Sequence, residues 1–361
     1  MARLGLCRRW NCHFANDIDS HKAAAYRQNF ESNHFHEGDI AALTLDHLPP
    51  ITPDLVWSSF PCQDLSLAGN REGLAGARSG TFHAFWHLIT ALQKSNRRPS
   101  LLVLENVTGL LTSNGGKDFA YIASKMARAG YIVSALVIDA QHFTPQSRKR
   151  VFLFGFAPHS VPLIGAEPTA SPETPLALLK AVENLPISTR KNWRWLSARP
   201  QTIRNIALKD IIETENAVWF PETKTDALIE AMSPLQREVI DQLKSQGGHH
   251  VGAAYKRIRV EKGEKILRVE ARFDGLAGCL RTPAGGSSRQ LIFMIDKGQI
   301  HSRLIIPREA ARLMGLPEDY ALPPRSTAAL KLCGDGVCVP VVRWIAENIL
   351  EPTLNQSVAA A

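Results

Sequence analysis

From residue 12 to residue 156, short apolar runs alternate with stretches of helical pattern, and this alternation sets the fold. Residues 12–15 form an apolar run that ends at Asn16-Asp17, and 20–29 read as a helix. Residues 55–57 lead into Ser58-Ser59-Phe60-Pro61-Cys62. The spacing of Phe82, Phe85, Leu88, Ile89 and Leu92 predicts a helix over 81–93. Residues 101–104 are wholly apolar and end in Glu105-Asn106, 119–129 read as a helix, and 131–138 and 151–156 read as strands. Repeated strand–helix alternation predicts a doubly wound, parallel α/β sheet. Near-continuous apolar strands fit a sheet covered on both faces. Ligands of such sheets sit beyond the carboxyl ends of the strands. Asp17, Cys62 and Glu105 all follow strand ends, and this convergence marks the candidate site.

Past residue 157 the alternation stops. Residues 158–200 are proline-rich and irregular, 225–246 hold one or two helices, and 251–305 read as short strands and turns. The last stretch includes the run Ala284-Gly285-Gly286-Ser287-Ser288 and carries eleven Lys/Arg against five Asp/Glu. Most of the chain's net charge of +8 therefore lies there. A solvated charged face and a phosphate-binding surface both fit that surplus. Helical pattern returns at 308–314 and 339–350. The expected organisation is a catalytic lobe over 1–157, a second and smaller lobe over 158–305, and a segment over 306–361 that returns to the first.

Composition narrows the class. At 45% hydrophobic and 21% charged the chain is an ordinary globular protein, not a disordered or collagen-like one. No run approaches ~18 uninterrupted apolar residues, so no membrane partner is expected. The opening MARLGLCRRWNCHF lacks the apolar core of a signal peptide, so a cytoplasmic location is expected. The six cysteines (7, 12, 62, 279, 333 and 338) fit no zinc spacing, and no metal is expected.

Two groups can carry chemistry. Cys62 follows a proline in a polar loop past a strand, a placement that favours a reactive thiol over a packed one. Glu105 closes an apolar strand, where desolvation favours the protonated acid and suits it to donate a proton near neutral pH. A thiol nucleophile beside a protonated carboxyl suits conjugate addition to an electron-poor ring. Further along, alternation in Gln146-Ser147-Arg148-Lys149-Arg150 puts Gln146, Arg148 and Arg150 on one face. Two arginines sharing a face suit a phosphate, a carbonyl oxygen or a carboxylate, and a basic edge strand is the plainer alternative.

Pro61-Cys62-Gln63, Glu105-Asn106-Val107 and Gln146-x-Arg148-x-Arg150, in this order and at these intervals, resemble motifs of the bacterial DNA cytosine-5 methyltransferases of restriction–modification systems. The segment from Pro307-Arg308-Glu309 to Gly315-Leu316-Pro317 is similar to that family's penultimate motif, and Gly334-Asp335-Gly336-Val337 to its last. The resemblance spans residue 1 to about 350, with a variable stretch over 158–278. It implies a Rossmann-like methyltransferase fold with a smaller target-recognition domain. It also implies transfer of a methyl group from S-adenosyl-L-methionine to C5 of a cytosine flipped out of duplex DNA. In that reading the Cys62 thiolate adds to C6 and Glu105 protonates or hydrogen-bonds N3. Arg148 holds the base carbonyl oxygen, while Pro61, Asn106, Gln146 and Arg150 shape and brace the site. Ser66 matches a serine near the flanking phosphate. Asp17 matches the acid that bonds the ribose hydroxyls, and Asp39 with Ile40 matches the reader of the adenine amino group. Gly80-Thr81 matches a pair near the cofactor. An N-cap for Asp17 and a turn for Asp39 are the plainer alternatives. DNA lies between the lobes in this reading, with specificity in 250–290, where Arg281 and Arg289 are the candidate DNA contacts. The expected protein is a monomer whose partner is duplex DNA, with a cognate restriction endonuclease as a possible companion.

The chain departs from the family in its first motif. A strand ending in Phe-x-Gly-x-Gly is absent. A ribose-binding acid lies ~20 residues after a glycine loop, so with Asp17 as that acid the loop is expected upstream of Met1. A misplaced start or a truncated gene is the expectation, with residues 1–6 as the helix following the loop. Asp335 stands where many members carry Asn, Ala68 where some carry Ser, and Cys279-Leu280 where many carry Thr-Leu. Two alternatives remain: a catalytically inactive, truncated DNA-binding remnant, and an RNA cytosine-5 methyltransferase.

Overall fold

The structure is a computed structural model. It describes residues 1–6, 9–60, 81–160, 164–201, 204–215, 217–261, 263–282 and 289–359. The chain forms two compact units. The larger holds Ala2–Asp139, Lys149–Gln201 and Val341–Ala361, and the smaller holds Met1, Ala140–Arg148 and Thr202–Pro340.

The larger unit opens with α1 (Ala2–Leu6), β1 (Ala15–Asp17), α2 (Ser20–Asn29) and β2 (Phe35–Glu37). Asp19 caps α2, its Oδ1 accepting from the amides of His21 and Lys22. Next come β3 (Leu55–Ser58), α3 (Thr81–Lys94), β4 (Leu101–Val107), α4 (Lys117–Arg128), β5 (Ile132–Asp139) and β6 (Lys149–Phe156). Strands β1 and β2 pair in parallel as a two-stranded sheet, from Ala15 opposite Phe35 to Asp17 opposite Glu37. A separate four-stranded sheet has the order β3-β4-β6-β5.

The α/β alternation expected from the sequence is present, but the sheet is mixed. β3 and β4 are parallel, whereas β6 runs antiparallel to both β4 and β5. The reason is connection length. A parallel neighbour needs a crossover of a dozen or more residues, and only residues 140–148 join β5 to β6. Residues 101–106 of β4 and 151–156 of β6 are buried throughout. Phe82, Phe85 and Ile89 of α3 share a core with Phe119, Ile122 and Met126 of α4.

The expected bounds shift, and Ala140–Arg148, inside the expected 1–157 lobe, belong to the smaller unit. Residues 158–201 belong to the larger unit. Helix α5 (Leu176–Glu183) buries Leu178, Ala181 and Val182 in the core just described, and Trp193, past α6 (Ile187–Arg190), joins them. The Val133 amide donates to the Asn192 carbonyl at 2.8 Å, and the Arg194 amide donates back to Val133 at 2.9 Å. The return to the larger unit comes at Val341, not at 306.

In the smaller unit, α7 (Glu222–Glu230) and α8 (Pro234–Gln246) precede β7 (His249–Glu261), β8 (Glu264–Arg272), β9 (Leu291–Asp296) and β10 (Gln299–Leu304). These four strands make an antiparallel sheet of order β10-β9-β7-β8. Leu228 and Met232 from the helical side pack with Ala254, Val269, Phe293 and Ile295 of the sheet. Helices α9 (Pro307–Leu313) and α10 (Ser326–Asp335) follow. Buried Glu309 of α9 makes a bidentate pair with buried Arg303 of β10 and accepts from the amides of Ile306 and Glu213. The chain then runs through α11 (Val339–Ile345), a π-helical turn (Ala346–Leu350) and α12 (Glu351–Ala359). Among the described residues, no helix is long and apolar enough to cross a membrane.

Candidate active site

In the larger unit the site forms at the carboxyl end of β4. Glu105 is only 6% exposed. Arg150 of β6 lies opposite Val107. Glu105 is two residues from Val107 on the same face, so Arg150 is its diagonal neighbour, within reach of a long side chain. Arg150 Nε sits 3.2 Å from Glu105 Oε1.

Asn106, on the other face, is buried and faces the chain that leaves β3. Its Nδ2 donates to the Phe60 carbonyl at 3.4 Å, and its Oδ1 accepts from the Val107 amide at 2.9 Å. The ring of Phe60 packs on Phe82 of α3 at 5.4 Å. The backbone two residues before Cys62 is therefore fixed from both sides. Pro61, Cys62, Ser66 and Gly80 themselves lie outside the described residues, and Thr81 opens α3.

The second cluster stands at the carboxyl ends of β1 and β2. Parallel pairing sets Asp17 opposite Glu37, and the Gly38 amide donates to the Asp17 carbonyl at 3.1 Å. Asp39 follows directly, so the two acids share one edge. The turn and cap roles both occur, with the residues exchanged. Asp17 Oδ1 accepts from the Asp19 amide and closes a turn, while Asp39 Oδ1 accepts from Ala41 and caps a short 3-10 helix begun by Ile40. Ile40 packs against the main core. The second oxygen of each acid has no partner among the described residues. Ile18, next to Asp17, is an apolar side chain left 69% exposed. The sequence reading missed it; its signal was its place one residue past the acid. Two carboxylate acceptors and an apolar surface at a strand edge fit a ligand that combines hydroxyls, an exocyclic amine and a flat ring.

The smaller unit takes Gln146 and Arg148, both buried. The sequence reading puts Arg148 and Arg150 on one face, suited to a phosphate, a carbonyl oxygen or a carboxylate; in the structure their guanidinium groups serve different partners. Arg148 Nη2 donates to the carbonyls of Gly334 and Gly336 at 2.9 and 2.7 Å, and Nη1 donates to the Leu280 carbonyl at 3.1 Å and to Cys279 Sγ at 3.4 Å. Gln146 accepts from the Leu280 amide at 3.0 Å and donates to the Leu313 carbonyl at 2.9 Å. The physical reason is that Arg148 precedes β6, so strand alternation does not carry through from Arg150. Of the expected DNA contacts, Arg289 donates to Ser326 Oγ at 2.7 Å, and the Arg281 guanidinium lies 5.3 Å from the ring centre of Tyr255. Among the described residues, no group of three or more His, Cys, Asp or Glu could hold a metal ion.

Comparison with known proteins gives this geometry a family. The C-5 cytosine-specific DNA methylase pattern matches residues 2–351. The type II methyltransferase M.Bsp6I of Bacillus sp. (strain RFL6) is 27% identical over 94% of this chain and 91% of its own. M.HpaII of Haemophilus parainfluenzae is 25% identical over 95% and 84%. Among solved structures, the Entamoeba histolytica methyltransferase EhMeth aligns at TM-score 0.63 with 12% identity, covering 98% of this chain and 95% of its own. The S. pombe Dnmt2 methyltransferase aligns at TM-score 0.57 with 17% identity, covering 97% and 94%. These structural likenesses place the fold among Rossmann-like methyltransferases. Matched over nearly its whole length, the chain belongs to the C-5 cytosine-specific DNA methylase family and is a transferase.

Proposed function

We propose that the chain methylates C5 of a cytosine turned out of duplex DNA, through a temporary covalent bond between Cys62 and C6. The observation that carries this reading is the end of β4. There Arg150 holds Glu105, while the next residue, Asn106, holds the carbonyl two residues before Cys62. An acid and the backbone two residues before Cys62 are thus brought to one strand end.

S-adenosyl-L-methionine, when bound, supplies the electrophilic methyl group that C5 accepts. Asp17 and Asp39 would hold its ribose hydroxyls and adenine amine through their second oxygens, with Ile18 against the ring. The Cys62 thiolate forms the Sγ–C6 bond, and the C5=C6 π pair moves to C5. Glu105 holds a proton at N3, which withdraws charge from the ring and speeds addition. Arg150, already on Glu105, would meet the base oxygen. Arg148 is a positioning residue, because its Nη donors are engaged by backbone carbonyls. After transfer, a solvent base takes the C5 proton, the C5–H pair becomes the C5=C6 π bond, the Sγ–C6 pair returns to Cys62 as its thiolate, and N3 returns its proton to Glu105. The chain acts in the cytoplasm as a monomer, and a restriction endonuclease of the same specificity is its natural companion.

Duplex DNA carrying 5-fluorocytosine tests the reading, because fluorine at C5 cannot leave as a proton does and the adduct is trapped. Incubated with S-adenosyl-L-methionine, the chain is expected to give a denaturant-resistant protein–DNA band that Cys62→Ser abolishes. A band that survives Cys62→Ser overturns the covalent role. A band with transfer RNA in place of duplex DNA moves the substrate to RNA. No band with either, from a folded chain, makes the protein an inactive remnant.

A further inference from the structure

In the smaller unit, residues 278–282 belong to no regular element, yet they are held at every position. A Cβ on Gly278 would lie 2.7 Å from the Tyr255 ring, so only glycine admits that ring. The Tyr255 hydroxyl meets the Cys279 carbonyl at 2.6 Å and Gln290 Oε1 at 3.0 Å. Gln146 takes the Leu280 amide, and Arg148 takes its carbonyl. A Cβ on Gly334, in α10, would lie 2.8 Å from the backbone of Arg281 and Thr282, so the helix abuts the segment directly. The Thr282 hydroxyl is bonded to Asp335. Tyr255, Gln146, Gln290 and Arg148 are all buried.

The side chain this mount presents is Arg281. It is exposed, and its guanidinium lies over the Tyr255 ring. Among the described residues it meets no carboxylate or carbonyl, unlike Arg148 and unlike Arg289, which donates to Ser326. A guanidinium supported on an aromatic face keeps its planar fork and leaves its edge donors outward. Phosphate contact needs only a charge within reach, whereas base readout needs donors fixed in place.

We propose that Arg281 is a specificity-determining residue, which, mounted on Tyr255, reads a guanine through N7 and O6 in the major groove of the target duplex. The pairing matches a two-donor fork to two acceptors on one base edge. Tyr255 is its positioning residue. The inference rests on the DNA-methylating reading above and adds to it a base of the target site.

The test is selection of bound sequences from a randomised duplex pool by the full chain, at fixed salt and without cofactor. The wild-type chain is expected to enrich a site with an invariant guanine. Arg281→Gln should lose preference for that guanine about 10- to 100-fold and keep the other positions. Tyr255→Phe, which keeps the ring and loses the hydroxyl, should weaken the same preference by less. Because Arg281 is exposed, its variant should melt with the wild type. If Arg281→Gln instead lowers affinity equally for all sequences and reduces the salt slope by about one, Arg281 is a phosphate contact and the proposal falls. It also falls if the enriched site has no position that responds to Arg281. A chain that selects no duplex at all overturns both this inference and the DNA reading. Failure of the fluorocytosine adduct with an Arg281-dependent guanine intact overturns the chemistry alone.

Discussion

Glu105, to which the proposed chemistry is assigned, and Arg281, to which the proposed base readout is assigned, are held by different means in the two units. Glu105 lies on β4 opposite Phe152 of β6, so its backbone is held in the ladder, and among the described residues one side-chain partner, Arg150, completes the placement. Arg281 lies on irregular backbone with no ladder, and distant side chains supply what the ladder would. Regular structure places a group cheaply but offers few positions for variation. A clasped loop needs several buried polar groups, and a change in one exposed residue leaves the clasp intact. The edge assigned the proposed chemistry uses the first device and the segment assigned the proposed readout the second, which suits fixed chemistry and variable specificity.

Removing Glu309 should break the second device most severely. It neutralises Arg303, and their side chains are 0% and 4% exposed. Glu309→Ala leaves a buried guanidinium without its counter-charge, a loss of about 3–5 kcal/mol. α9 also supplies the Leu313 carbonyl that holds Gln146, so the 278–282 mount should loosen with it. Denaturant unfolding followed by a probe in each unit checks this. The probe in the smaller unit should shift to lower denaturant while that in the larger unit stays. A common shift would mean that the two units unfold together.

An exchange of lysine for arginine separates the two devices more finely. At position 148 the fork reaches three carbonyls, of Leu280, Gly334 and Gly336. A lysine ammonium cannot reproduce that geometry. Arg148→Lys should cost about 1–3 kcal/mol of stability through carbonyls left unsatisfied, and it should blur site selection. Arg150→Lys should leave the unfolding midpoint nearly in place and slow single-turnover methylation, since Arg150 serves Glu105. The two variants, measured for both quantities, should fail in opposite columns. If Arg148→Lys slows the chemical step with its stability unchanged, the positioning role assigned to it is wrong.

The two devices also differ in how far the sequence reveals them. β4 announces itself as four apolar residues closed by a carboxylate, and 81–93 by its helical spacing, because ladder and helix impose a period on side chains. Nothing periodic marks 278–282. Its support comes from positions 146, 148, 255, 290 and 335, far apart in the chain, so only the folded structure shows that Gln146 and Arg148 face the segment. The same reason hides the strand order. Local pattern identifies β6 as a strand, but its antiparallel place between β4 and β5 follows from the length of its connection. α10 has no counterpart in the sequence reading, which finds helical pattern in this region only at 308–314 and 339–350.

Alkali should show the contrast in its mildest form. Burial pushes the Cys333 thiol up to about 12 from 9.0 and the Tyr320 phenol up to about 12 from 10.0. Both groups belong to the smaller unit. A raised folded-state pKa means that the folded chain keeps these protons after the unfolded chain has lost them. Their contribution to stability is complete below about pH 9 and is lost as pH rises toward 12. Cys333 precedes Gly334, whose carbonyl holds Arg148. Protection of the Leu280 amide, bonded to Gln146, should therefore fall between pH 9 and 12 earlier than that of Leu104 in β4. Amide exchange corrected for its intrinsic pH dependence reads both. Cys333→Ala should narrow the gap between them. Equal loss at the two amides would show that alkali acts on the whole fold, and that the clasped segment is no weaker than the strand.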